Sequence, residues 1–94
     1  MANPFSRLNP FVEKQIMLEV TSVTTAENFH LLMTFNTHER RCFDMRPYLS
    51  YPVFRRLENP GFFAMARVDY GTVTWPGEID IAPETLYDGS VPAA

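Results

Sequence analysis

Phe29-His30-Leu31-Leu32-Met33-Thr34-Phe35 is the stretch that decides the fold. Phe29, Leu31, Met33 and Phe35 alternate with His30, Leu32 and Thr34, a period of two that fits a half-buried strand. Asn36, Thr37 and His38 turn the chain back. Arg41, Phe43 and Met45 then alternate with Arg40, Cys42 and Asp44, which predicts a second strand. Upstream, Ile16, Leu18 and Val20 alternate with Met17, Glu19 and Thr21, and Thr24 to Asn28 form a polar turn. Connections this short force antiparallel hairpins, because a parallel return needs a dozen residues or more.

Downstream the texture changes at prolines. Arg46-Pro47-Tyr48-Leu49 reads as a single turn. Pro52 opens a short helix with Val53, Phe54 and Leu57 on one side. Asn59 is a natural N-cap before Pro60, Gly61, Phe62 and Phe63. Ala64, Ala66 and Val68 alternate again, Tyr70-Gly71 makes a tight turn, and Val73 and Trp75 alternate with Thr72 and Thr74. Pro76-Gly77 ends that hairpin, and Pro83 opens a last helix holding Leu86 and Tyr87. The order is β-β-β, short helices, β-β, short C-terminal helix. The predicted class is α+β with a mainly antiparallel sheet. The expected organisation is a flexible leader over 1–14, a single domain over 15–88 and a flexible tail over 89–94.

The chain has 94 residues, 46% hydrophobic and 20% charged, enough for one core and too apolar for a disordered chain. No run is long enough for a membrane helix. The start lacks the pattern of a signal peptide, and Cys42 is the only cysteine, so a reducing cytoplasm is the expected compartment. The net charge of -3 argues against nucleic acid as a partner. That total hides a distribution. Residues 37–68 carry six arginines and net +3, whereas residues 69–94 carry five acids and no base.

The closing stretch from Val73 through Trp75-Pro76-Gly77-Glu78-Ile79-Asp80-Ile81 to Pro83-Glu84-Thr85-Leu86-Tyr87 resembles the bacterial domain-of-unknown-function family numbered 2442. Phe43-Asp44-Met45, Pro47, Leu49, Phe54, Leu57 and Phe63 fit the same pattern, and the resemblance spans residues 15–90. It implies a compact antiparallel α+β fold. It implies members that stand alone or precede a helix-turn-helix DNA-binding domain, and some that lie beside toxin-antitoxin-like partners. It implies no activity and no catalytic residues.

Asp80, between two isoleucines, points away from them and reads as a carboxylate serving a corner near the last helix. Asp44 reads as a turn-stabilising acid. His30, His38 and Cys42 are too spread for a metal site, and neither a phosphate loop nor a nucleophile elbow is present, so no catalytic residue, metal or cofactor is expected. The expectation leans away from an enzyme. Arginine suits carboxylate contacts, and exposed tyrosine suits interfaces. The candidate partner-binding residues are therefore Arg40, Arg46, Tyr48, Tyr51, Arg55, Arg56 and Arg67. The expected function is a non-catalytic protein-interaction module, antitoxin- or regulator-like, with another protein as partner, no membrane, and a homodimer left open by a free strand edge. The alternative is a small-ligand sensor or minor enzyme using a cleft near Trp75.

Overall fold

The computed structural model describes Phe5 and residues 17–93; the expected leader over 1–14 lies outside the described residues apart from Phe5. The first sheet contains β1 (Val20–Ala26), β2 (His30–Phe35), β3 (Arg40–Asp44) and β7 (Val91–Pro92), paired in that order. The second contains β4 (Arg67–Asp69), β5 (Thr72–Trp75) and β6 (Ile79–Ile81), also in sequence order. All pairings are antiparallel. Helix α1 (Pro60–Phe63) follows a 3₁₀ segment at Pro52–Glu58, and α2 (Pro83–Gly89) follows β6. The α+β class with antiparallel sheets is what the alternation predicted.

The pleat of β2 works as its sequence requires. Leu31, Met33 and Phe35 are buried, while His30, Leu32 and Thr34 are half-buried on the other face. Phe43 from β3 and Met45 just after it join the buried side. Val73, Trp75, Ile79 and Ile81 come from the second sheet, and Phe54, Leu57, Phe63 and Leu86 come from the helical segments. The sheets meet where β1 lies against β4 and β5, and the Val20 N–H donates to Gly71 O at 2.9 Å. One core thus joins two small sheets.

Four local features differ from the sequence reading. The first strand runs over Val20–Ala26, through threonines read as a turn. These residues are β-branched and suit an extended chain with one wet face. The reversal comes instead at Glu27–Phe29, where Asn28 and Phe29 both have φ 60°. Phe29 leaves the strand yet stays partly buried, its ring 5.2 Å from that of Phe63. Ala64–Ala66 is not a strand, because Ala64 and Met65 donate back to the preceding turn at Pro60 O and Phe62 O. Ile79–Ile81 is a full third strand, its three residues buried.

The chain end, expected as a tail over 89–94, places Val91 opposite Cys42 and Pro92 opposite Arg41. Arg41 holds this end: its Nε donates to Ser90 Oγ at 2.6 Å and its Nη2 to Ser90 O at 3.0 Å. The same guanidinium lies 4.3 Å over the Tyr87 ring, and the Tyr87 hydroxyl donates to Glu39. That bond lowers the carboxyl pKa of Glu39 and raises that of the Tyr87 phenol. At Gly89 a Cβ would lie 2.7 Å from Cε1 of buried Phe43. Gly89→Ala is therefore expected to cost about 1–3 kcal/mol, as other core overpacking does. Thermal unfolding should show a fall of roughly 4–8 °C per kcal/mol lost; an unchanged midpoint would mean that the Phe43 ring yields freely.

Candidate functional site

Strands β5 and β6 of the second sheet are unusual in being buried on both faces. Register sets Val68, Val73 and Ile81 in one row and Trp75 opposite Ile79, all towards the core. Alternation then sends Arg67, Asp69, Thr72, Thr74 and Asp80 to the other face. Thr74 stands directly between Arg67 on β4 and Asp80 on β6. These residues line a cavity of about 640 Å³ together with Tyr70, Trp75, Ile79 and the Pro76–Glu78 turn. The volume lies within the range usual for small-molecule sites.

Polar side chains in this wall are deeply covered: Thr72 is 1% exposed, Asp80 6% and Thr74 9%. Thr72 Oγ1 donates to Ile81 O, inside the sheet. Thr74 Oγ1 is buried and has no hydrogen-bond partner. Such an orphan costs about 1–3 kcal/mol, and a native fold that keeps one needs a reason.

The rest of the wall is held firmly. The Trp75 Nε1–H donates to Phe63 O at 2.9 Å, which locks the indole against α1. Gly77 has φ 87°, and the Arg56 guanidinium, 4.4 Å over the Phe62 ring, occupies the place a Cβ would take. Only glycine suits this turn on both counts. Tyr70, with φ 54°, is 73% exposed at the rim. Among the described residues no three histidines, cysteines or carboxylates gather closely enough to hold a metal ion. The arrangement is a pocket with an apolar wall and carboxylates around it, the Thr74 hydroxyl lying buried beneath its surface.

The residues expected to bind a partner are spread over several surfaces. Arg40 is exposed on β3 and Arg67 on β4, in different sheets. Arg46 is held by Asp44, Nε to Oδ1 at 3.0 Å and Nη2 to Oδ2 at 2.9 Å. Tyr48 and Tyr51 do come together, with ring centroids 6.1 Å apart, but Phe5 packs on both at 5.5 and 5.4 Å. Arg55 and Arg56 are exposed on the 3₁₀ segment, and Arg56 turns towards Gly77. Of the set, only Arg67 lines the cavity. Asp80 and Trp75 were singled out in sequence; Thr74 was not. Its signal was the Thr72/Thr74 alternation against Val73/Trp75, which reads equally well as a solvated face.

A small antiparallel α+β domain with a pocket on the outer face of its second sheet is the class that fold and site define. The chain belongs to the family described as "Protein of unknown function (DUF2442)", whose model matches residues 20–92. Nothing among curated proteins matches it. A crystal structure described as "Putative DNA Binding Protein NE0471" from Nitrosomonas europaea matches with a TM-score of 0.71 and 20% identity. The match covers 83% of this chain and 52% of that one, so the chain spans about half the length of that relative. This corrects the partner expectation. The expected protein partner rested on the arginines and tyrosines, and nucleic acid was set aside on the total charge; a relative of the same fold is described as a DNA-binding protein. The physical reason is that a sum of -3 averages a basic middle with an acidic end. Screening over about 10 Å lets a partner sense the local charge rather than the sum. No helix among the described residues is long and apolar enough to cross a membrane.

Asp44 also accepts the Arg46 backbone N–H at 2.9 Å, the turn role its sequence position suggested. Its bonds from Arg46 hold its carboxyl well below the ordinary range, at about 2 instead of 3.8. A lowered folded-state value stabilises the fold above the unfolded value, and that contribution is lost as pH falls. Asp44→Asn should therefore be less stable than the parent at neutral pH. The gap should close between about pH 4 and pH 2, measured by urea unfolding across that range. A gap independent of pH would refute the Arg46 account.

Proposed function

We propose that this chain is a small-ligand-binding module of regulatory type, with its site in the cleft on the outer face of β4–β6 near Trp75. The observation that carries the reading is a cavity of about 640 Å³ walled by the twice-buried strand β5 and by Trp75, Ile79 and the Pro76–Glu78 turn. The rigid indole behind it keeps the wall in shape, so little ordering is needed on binding. The DNA-binding description of the structural relative supports a regulatory setting, in which occupancy of the pocket tunes contact with nucleic acid. The lone, disulfide-free Cys42 fits a reducing, cytoplasmic compartment.

Two measurements on Thr74→Val test this. Valine keeps the shape and removes the orphaned hydroxyl, so the variant should be more stable than the parent by about 1 kcal/mol. Ligand binding at the cavity should persist in the variant, because the hydroxyl has no surface in the cavity. Binding is read from backbone amide shifts during titration with a panel of cationic, anionic and neutral metabolites, and the shifts should centre on residues 67–80. A structural role for the hydroxyl predicts the reverse, a less stable variant. A panel that leaves those amides unmoved would overturn the reading.

A further inference from the structure

We infer that Phe5 is an intramolecular plug: it fills an aromatic socket and ties the end of β6, so its withdrawal bares the socket and loosens one wall of the cavity. The socket is built by local turns. The Tyr51 N–H donates to Tyr48 O at 3.1 Å and the Phe54 N–H to Tyr51 O at 2.9 Å. These turns gather three rings, with Tyr51 6.1 Å and Phe54 6.4 Å from Tyr48 between centroids. The Phe43 ring backs Tyr48 at 5.3 Å, and Phe54, fully buried, makes the floor. None of these contacts needs Phe5. The Phe5 ring then stands 5.5 Å from Tyr48, edge-on, 5.4 Å from Tyr51 and 5.9 Å from Phe54. Edge-on and tilted pairs at these separations attract beyond the apolar area they bury.

The plug also has a polar tie, since the Ala82 N–H donates to Phe5 O. Ala82 directly follows β6, whose Ile79 and Asp80 line the cavity. It is also the N-cap of α2, its own carbonyl accepting the Leu86 N–H at 3.1 Å. Among the described residues β6 pairs with β5 alone, so a bond at its end steadies a strand with one neighbour. The same features make Phe5 releasable. It is half-buried, and Tyr51 beside it is 46% exposed, so water reaches the rim of the socket. Its partners lie far along the chain, and one hydrogen bond and three ring contacts join it to them. Contacts so few and so near water open locally, at free energies well below that of global unfolding. The wall is therefore firm with Phe5 seated and loose with it withdrawn. This link concerns the wall and not what the cavity binds.

Phe5→Ala in the full chain tests this by amide hydrogen exchange, with no cavity ligand present. Exchange at Ile81, Ala82 and Leu86 should quicken by roughly tenfold, while Leu31 and Met33 of β2 keep the parent rate. A synthetic peptide of residues 2–8, Ala-Asn-Pro-Phe-Ser-Arg-Leu, is then added at millimolar concentration. It should shift the amides of Tyr48, Tyr51, Phe54 and Ala82 in the variant and slow their exchange towards the parent rate. It should bind the parent roughly tenfold more weakly, because the socket there is filled. The same peptide with alanine for its phenylalanine should do neither. The triplet Asn-Pro-Phe recurs at 9–11, so Phe11→Ala is a matched control and should leave Ala82 exchange unchanged. Unchanged exchange at Ala82 in Phe5→Ala would show that Phe5 holds nothing there, and the inference falls. It falls also if Leu31 and Met33 quicken equally, which marks Phe5 as part of the global core. It falls if the peptide fails to slow exchange in the variant, or if Phe11→Ala has the effect expected of Phe5→Ala. The ligand-binding reading stands or falls apart from all of these results.

Discussion

The double burial of β5 is the constraint on which the rest of the structure depends. A strand of four residues presents two side chains to each face, and here all four are buried. Val73 and Trp75 enter the core, and the Trp75 indole bonds to Phe63 O and fastens α1 to the second sheet. Thr72 and Thr74 enter the opposite face, where a hydroxyl has few partners. Thr72 finds one in Ile81 O within its own sheet, and Thr74 finds none. One hydroxyl is spent on β6, and the other is buried without a partner beneath the cavity wall.

A second constraint acts at the other sheet, where the chain end returns to β3. Arg41 lies on the core side of its strand, which is unusual for a charged residue and costly without partners. It is satisfied by Ser90, Glu39 and the Tyr87 ring, all of them near or against the chain end. Its burial and the docking of β7 are thus one event. The pairing of Val91 and Pro92 also covers part of the β3 edge. An uncovered edge would offer its backbone groups to other strands.

Much of the fold was legible in sequence because the strands have one wet and one dry face. Leu31, Met33 and Phe35 could only sit together on one side, and the short connections could only be hairpins. The Asn59 cap was legible for a similarly local reason: its side chain accepts the Phe62 N–H from a residue three positions on. The limits of β1 were not. Threonine suits both turns and exposed strand faces, and the choice was made by pairing with β2. The pocket was legible only in pieces. Asp80 could be seen to face away from its isoleucines, and Trp75 could be seen as the sole tryptophan. Nothing local marked Thr74 as buried, since burial on a second face requires knowing what lies over it.

The sequence by itself determined the class, the antiparallel connections, the core face of each strand and the proline-marked starts of the helical segments. Each of these follows from interactions within a few residues or from the pleat. Tertiary structure decided that Ile79–Ile81 would complete a second sheet, that Arg41 would be half-buried against the chain end, and that Thr74 would stand between Arg67 and Asp80. Those outcomes join residues far apart along the chain, or set register between strands, and only the packed core selects among the alternatives. The distribution of charge shows the same division. A basic middle and an acidic end are plain in the sequence, but one arginine among three carboxylates around a cavity exists only once β4, β5 and β6 are side by side.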